Sequence, residues 1–390
     1  MRDVTRINLK DKQMKSRVSF VSLALPHYRR RFHELTRELL ASKQIRYDLI
    51  YSDPLPGYLS QNDAVDLPWA IKVKSYRYRV GSNPVYWQSA MRAAAGSDLI
   101  IVPQEGRLLF NYWCHFKRNF GSRMAYFGHG RNFQGPVDSL EARFKAFWSK
   151  RVDWWFAYTD QTRRIVTERG FPADRVTVFN NSIDTSEIRR IASEFGEDKI
   201  DRLRAKFGVS TSRIGVYVGR LYDLKRIDFL IDAAIEIRRR VPDFTLIVAG
   251  GGDESERVRA AAQANPWLIY LGPQYGREIV EVLRLGRVCL MPGAVGLSVL
   301  DCAAAGIPMV TTTYPFHGPE IAYLESNRSG LIVQHWRDLN AYVDAVISVL
   351  NDDDLHHKLA AGALQIGETY TIEKMAERFS EGVIKATNVT

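Results

Sequence analysis

Short runs of apolar and β-branched residues recur along the chain, separated by stretches whose apolar positions fall at helical spacing. Runs that are apolar at nearly every position, rather than at alternate ones, read as strands buried on both faces. They fall at 18–24, 45–51, 98–102, 124–127, 154–158 and 176–179, with helices expected to fill the gaps and a loop over the Pro-, Gly- and Asp-rich stretch 53–68. The alternation pauses around 180–191 and resumes with strands at 214–218, 244–249, 268–271, 288–291, 309–312 and 331–333. Such alternation builds parallel sheets covered by helices. The expected fold class is α/β, with two doubly wound, Rossmann-like domains at 1–188 and 189–370. A last helical segment, 371–390, carries Met375, Phe379 and Val383 as one apolar stripe and is expected to return to the first domain.

Length supports two cores, and 46% hydrophobic with 25% charged residues is the composition of a water-soluble globular chain. The apolar run 18–25 is too short to span a bilayer, and PHYRRRFHE follows it where a cleavage site would need small residues. Cys114, Cys289 and Cys302 show no metal-ligand spacing and read as reduced core thiols, which fits a cytoplasmic location. The charge is lopsided. Residues 1–190 carry 32 Lys and Arg against 18 Asp and Glu, and the remainder carries 22 against 26. PHYRRRFHE, KVKSYRYRV and RFKAFWSKR interleave cations with aromatics, a combination suited to an anionic membrane surface or to single-stranded nucleic acid.

Candidate chemistry clusters just past strand ends. In VGRLYDLKRID, Gly219 closes a strand, and Arg220 and Lys225 precede a helix expected over 226–240. In PGAVGLSVLDC, Gly293 and Gly296 allow close backbone approach, and a helix opening near Leu297 and Ser298 carries Asp301 one turn in. Two cations beside a helix N-terminus suit a diphosphate. Gly250, Gly251 and Gly252 form a tight turn before Asp253, a candidate N-cap, without the spacing of a dinucleotide fingerprint. In the first half, MAYFGHGRNFQG exposes His129 between two glycines, with Arg131 and Asn132 beside it, and PQEGR offers Glu105 as a general base near Arg107. No Asp-x-Asp pair follows a suitable strand, and Asp352, Asp353 and Asp354 mark a solvated helix end, so neither a metal nor another cofactor is expected.

The series GR-x4-K, GGG, LGP, P-x-x-x-GL-x3-D-x-x-A-x-G-x-P and PEI with Gly330 resembles the donor domain of family-4 glycosyltransferases, which have the GT-B fold. The similarity covers residues 176–350 and extends more loosely over the chain. It implies two domains facing across a cleft and transfer of a sugar from a nucleotide-diphosphate sugar, with retention of configuration, to a glycan acceptor that is lipid-linked. It implies that Arg220 and Lys225 contact the donor diphosphate, that Asp301 matches the second of two sugar- and ribose-binding glutamates, and that Gly272 and Pro273 of LGPQ lie where the base is read. Glu320 of HGPEI matches a recurrent acidic position, and His129 matches one facing the donor sugar. Asn181 and Asp184 of NNSID match the interdomain linker. The first glutamate, eight positions before Asp301, is Gly293 here. The expected partners are a nucleotide sugar, the acceptor and the inner face of the cell membrane, with no nucleic acid. A nucleotide-sugar epimerase of the same architecture and a non-catalytic basic adaptor remain as alternatives.

Overall fold

The computed structural model describes residues 14–55, 65–81, 83–118, 121–131 and 140–388. Its first sheet comes from β1 (Ser16–Val21), β2 (Ile45–Tyr51), β3 (Ile71–Lys72), then β6 (Leu99–Pro103), β7 (Arg123–Gly128), β8 (Trp154–Ala157) and β9 (Val176–Val178), after a separate hairpin of β4 (Ser75–Val80) and β5 (Asn83–Gln88). The order is β3-β2-β1-β6-β7-β8-β9, and every neighbouring pair is parallel. The second sheet comprises β10 (Ile214–Val218), β11 (Thr245–Ala249), β12 (Leu268–Gly272), β13 (Val288–Met291), β14 (Met309–Thr312) and β15 (Gly330–Val333). It runs β12-β11-β10-β13-β14-β15, again wholly parallel. Strands buried on both faces explain the unbroken apolar runs: all residues of β8, β10, β11, β13 and β14 are buried.

Two expectations are corrected. The gap before β6 does not hold a helix but β3 and the antiparallel hairpin, because SYRYRV alternates with period two and Gly81 turns at φ +60°. The chain also divides earlier than 188. One compact unit holds the described residues up to Asn180 together with the C-terminal stretch from Glu373, and the other holds Asn181–Ile372. Position 188 lies inside the helix Thr185–Ala192, which Asp184 caps by accepting from the Glu187 N–H at 3.0 Å and whose Ile191 and Ala192 are buried in the second unit's core.

The closing helix, Ile372–Asn388, belongs to the first unit's core. Met375, Phe379 and Val383 are wholly buried. The Phe379 ring lies 4.4 Å from that of Phe156 and 5.1 Å from that of Phe32, edge-on to the latter, within an aromatic cluster that includes Phe20, Phe127 and Phe179. Near the helix end the Arg123 guanidinium donates to the Ala386 carbonyl at 3.0 Å. Phe379→Ala is expected to cost about 3–5 kcal/mol, read as a lower denaturant midpoint for the first unit with the m-value unchanged.

Candidate functional site

The second sheet reverses direction of winding between β10 and β13. From β10 the chain builds outward through β11 and β12, then returns to place β13 on β10's other side. Loops leaving the carboxyl ends of two such strands diverge, which makes the gap between them the ligand crevice of doubly wound sheets. Gly219, Arg220 and Lys225 follow β10, and Gly293, Gly296, Leu297 and Ser298 follow β13.

Lys225 closes a short 3-10 turn, Asp223–Lys225, and is buried. Its Nζ donates to the Ala294 carbonyl at 2.5 Å and lies 4.0 Å from the Met291 sulfur. Burial pulls its pKa down to about 8; Arg220 pulls in the same direction, while Cys289 and Glu320 oppose it. Arg220 is exposed: Tyr217 Oη donates to its carbonyl at 2.8 Å, and its guanidinium makes no hydrogen bond to the described residues. Arg226 adopts the left-handed conformation at φ +55° and donates to the carbonyls of Pro292 at 3.3 Å and Trp336 at 2.6 Å, with its guanidinium 3.9 Å from the Phe229 ring centre. The turn after β10 is thereby tied to the turn after β13.

Gly293 is the point of contact. A Cβ there would stand 2.4 Å from the Leu224 carbonyl oxygen and 2.5 Å from the Lys225 carbonyl, and the Ala294 N–H donates to Leu224 O at 2.8 Å. Backbone therefore occupies the space into which a glutamate at 293 would start. The next residue, Val295, donates its N–H to His317 Nδ1 at 2.9 Å, and His317 Nε2 lies 2.8 Å from the Thr312 carbonyl. This pairing puts the proton on Nε2 and keeps the ring neutral; burial, and then Lys225, lower its pKa.

The helix Ser298–Ala305 opens after this loop, with Asp301 in its first turn. The Asp301 carboxyl is partly buried and has no hydrogen-bond partner among the described residues, and burial raises its pKa to about 7. Glu320 is buried in the following segment, where its carboxylate accepts from Asn181 Nδ2 at 2.5 Å, and Tyr323 Oη donates to the Asn181 carbonyl at 3.0 Å. On the other side of β10, the Gly250 N–H donates to the carbonyl of Gly272 at 2.9 Å, beside exposed Pro273. A Cβ on Gly250 would stand 1.8 Å from Gly219 O, so this turn passes directly over the end of β10. Asp253 is not an N-cap: the helix Ser255–Ala264 starts after Glu254, and Ser255 Oγ accepts from the Gly252 N–H at 3.0 Å.

In the first unit, Glu105 and His129 follow the adjacent strands β6 and β7. His129 lies edge-on to Tyr158 at 4.4 Å and is exposed on one side. Desolvation within its surroundings, followed by Lys145 and Arg29, drives its pKa down to about 3, so the imidazole is neutral at physiological pH. The Gly130 carbonyl accepts from Gln104 Nε2 at 3.3 Å and Arg169 Nη1 at 3.1 Å, which fixes the turn leading to partly buried Arg131. Partly buried Glu105 is held by its main chain, whose carbonyl accepts from Asn111 Nδ2 at 3.1 Å. Asn132 lies outside the described residues.

The sequence did not single out His317 or Arg226. His317 is visible only as a neighbour of Gly318 in HGPEI, and Arg226 only as the second cation of a Lys-Arg pair; their roles arise from loops that meet in the folded chain. Among the described residues no cluster of His, Cys, Asp or Glu is arranged to hold a metal ion, and no helix is long and apolar enough to cross a membrane.

Two doubly wound units, with cations and a helix N-terminus at the second sheet's winding reversal, define the class: this is the GT-B fold. Solved structures agree. The chain superposes on Anabaena HepE, determined in complex with UDP, at a TM-score of 0.70 and 13% identity over 95% of this chain and 100% of that one. It superposes on sucrose-phosphate synthase from Thermosynechococcus elongatus at 0.69 and 15% identity over 95% and 99%. Residues 212–352 match the family described as Glycosyl transferases group 1. Among curated relatives it is 30% identical to a D-inositol 3-phosphate glycosyltransferase of Corynebacterium urealyticum over 47% of this chain and 46% of that protein. It is 27% identical to a GDP-mannose-dependent phosphatidylinositol monomannoside mannosyltransferase of Mycobacterium tuberculosis over 47% and 49%. The matched region spans about half the length of these relatives.

Two outcomes follow from this geometry. Gly293→Ala is expected to destabilise the second unit by about 1–3 kcal/mol through overpacking against the Leu224–Lys225 backbone, and to weaken nucleotide binding in a fluorescence titration. Asp301 has a folded pKa above its unfolded one, so the folded state holds its proton more tightly and stability declines as pH rises from about 4 to about 7. Asp301→Asn is expected to raise stability at pH 8 by of order 2–4 kcal/mol and to leave it nearly unchanged below pH 4, as read from thermal melts at both pH values.

Proposed function

We propose that this protein transfers a glycosyl group from a nucleoside diphosphate sugar to a hydroxyl of a lipid-linked glycan in surface-polysaccharide synthesis. The observation that carries this reading is the pairing of Arg220 and Lys225 with the loop and helix that follow β13, at the winding reversal of a group 1 glycosyltransferase domain. A diphosphate seated there meets one exposed guanidinium, one buried ammonium and the amides that open the helix Ser298–Ala305. As the bond between the anomeric carbon and the phosphate oxygen breaks, negative charge grows on the diphosphate and the two cations stabilise it, with no metal required. Ground-state binding of the same group adds affinity, and only the extra stabilisation of the departing charge adds rate.

The acceptor hydroxyl forms the new bond to the anomeric carbon. Departure and attack on one face retain the configuration and let the leaving phosphate oxygen take the acceptor's proton. Asp301 accepts hydrogen bonds from ribose hydroxyls; a carboxyl whose pKa is already raised would be a poor neighbour for a phosphate. Gly272 and Pro273 border the base. His129 presents a neutral ring to the transferred sugar, and Glu105 and Arg131 serve the acceptor side. With backbone at position 293, the sugar lacks one carboxylate contact there, and Glu320 holds the loop behind it through Asn181.

Support for a membrane-borne acceptor comes from the first unit's surface. On the hairpin β4–β5, Tyr76, Tyr78 and Val80 are exposed alongside Arg77 and Arg79. Phe144 and Phe147 are also exposed, on the helix Leu140–Ser149. Aromatics with flanking cations settle at the headgroup depth of anionic bilayers. These exposed groups support the reading of a peripheral enzyme at the cytoplasmic face of the membrane.

Arg220→Ala and Lys225→Ala are each expected to lower kcat/KM for sugar transfer by about a hundredfold or more, a loss in the range found for removing one transition-state donor, with circular dichroism unchanged. A screen of nucleotide sugars by donor hydrolysis identifies the substrate on which to measure this. Full activity in both variants would end the reading.

A further inference from the structure

We propose that the second unit carries an anion-binding site at the amino ends of its strands, the end opposite Arg220 and Lys225, built for a ligand with phosphate groups. A cavity of about 620 Å³ opens there, lined by residues that precede β10, β13 and β14 and by the helices Thr185–Ala192, Glu197–Lys206 and Asp353–Thr369. Arg189, Arg204, Arg284, Arg287 and His356 line it, and no Asp or Glu does. The carboxylates that pair with three of these arginines stand on the solvent side. Glu368, Asp201 and Asp353 are 61%, 69% and 78% exposed, whereas the side chains of Arg189, Arg204 and Arg287 are 33%, 31% and 18% exposed. These three arginines are thus less exposed than the carboxylates that pair with them.

Three of those inner positions carry unused donors. The Nε atoms of Arg189, Arg204 and Arg284 are buried without a hydrogen-bond partner among the described residues, as is Nδ1 of His356. A guanidinium is planar and forked, and buried donors of this kind left unpaired are costly. Helix capping accounts for part of the cluster: Arg284 donates to the Ala305 carbonyl at 3.3 Å and Arg287 to Val349 at 3.0 Å. It does not account for the side chains of Arg189 and Arg204, which among the described residues pair with their solvent-side carboxylates. Burial lowers the pKa of Arg284, and burial with Arg287 and His357 brings His356 down to about 4. An anion seated in the hollow would offset the mutual repulsion of the cations that line it. The volume admits a diphosphate or a phosphorylated headgroup with its water.

Inorganic pyrophosphate is the probe, titrated calorimetrically into the full chain carrying Arg220→Ala and Lys225→Ala so that the crevice at β10 and β13 does not contribute. Binding is expected, and adding Arg189→Gln with Arg204→Gln is expected to weaken it about tenfold or more. Leu364→Glu tests the same site without removing a structural arginine. Leu364 lines the cavity and is 42% exposed, so a carboxylate there costs little in packing but occupies the place of the anion. Affinity lost in both variants supports the site. Affinity unchanged in both, or no binding to the starting chain, overturns it. Competition by phosphatidylcholine vesicles containing phosphatidic acid, with phosphatidylcholine alone as control, assigns the source. Displacement of pyrophosphate marks a lipid headgroup, and its absence, with the site still filled, marks a soluble phosphate.

Discussion

A lysine ammonium held out of water against a carbonyl oxygen is the constraint around which the second unit's crevice is arranged. Lys225 gains one strong hydrogen bond, to Ala294, and loses most of its hydration, so its pKa falls to about 8. A buried cation of this kind is unfavourable alone and favourable beside an anion. The surrounding details follow from keeping it there. Gly293 lets the loop after β13 lie against the turn that carries the lysine, Arg226 ties those two segments together, and the neutral His317 ring fixes the next amide.

This arrangement also explains why the chain departs from its apparent relatives at one position. A glutamate at 293 would need room for a Cβ where the Leu224 and Lys225 carbonyls already lie. The contact that such a glutamate makes and the close approach that Gly293 permits exclude each other. What Gly293 gives is a close seat for the cation. Asp301 carries a cost of its own: a carboxyl kept partly buried, with no hydrogen-bond partner among the described residues, lowers stability near neutral pH.

The sheets were legible in the sequence because buried parallel strands write themselves as unbroken apolar runs; β2, β10, β13 and β14 start and stop where those runs do. The hairpin β4–β5 was not, since cations at alternate positions mask a period-two pattern that belongs to no buried face. The unit boundary was misjudged by eight residues because Asn181 and Asp184 read as linker, while the cap and the buried Ile191 that assign this stretch to the second unit depend on what the helix packs against. In the crevice, Arg220, Lys225 and Asp301 stood out by type and spacing. Gly293 was read as permitting close backbone approach, though not against which segment, and the roles of Arg226 and His317 did not stand out, because each depends on an approach between segments more than twenty residues apart or on a backbone angle that composition does not reveal.

The most direct test is the number of protons taken up when a nucleoside diphosphate binds near pH 8.5, measured by calorimetry in buffers of differing ionisation enthalpy. In the free protein Lys225 is then mostly uncharged, and a diphosphate beside it raises its pKa, so the account predicts uptake of about half a proton or more. The uptake should vanish near pH 6.5 and in Lys225→Ala. Binding at pH 8.5 with no proton uptake would contradict the claim that the buried ammonium faces the diphosphate.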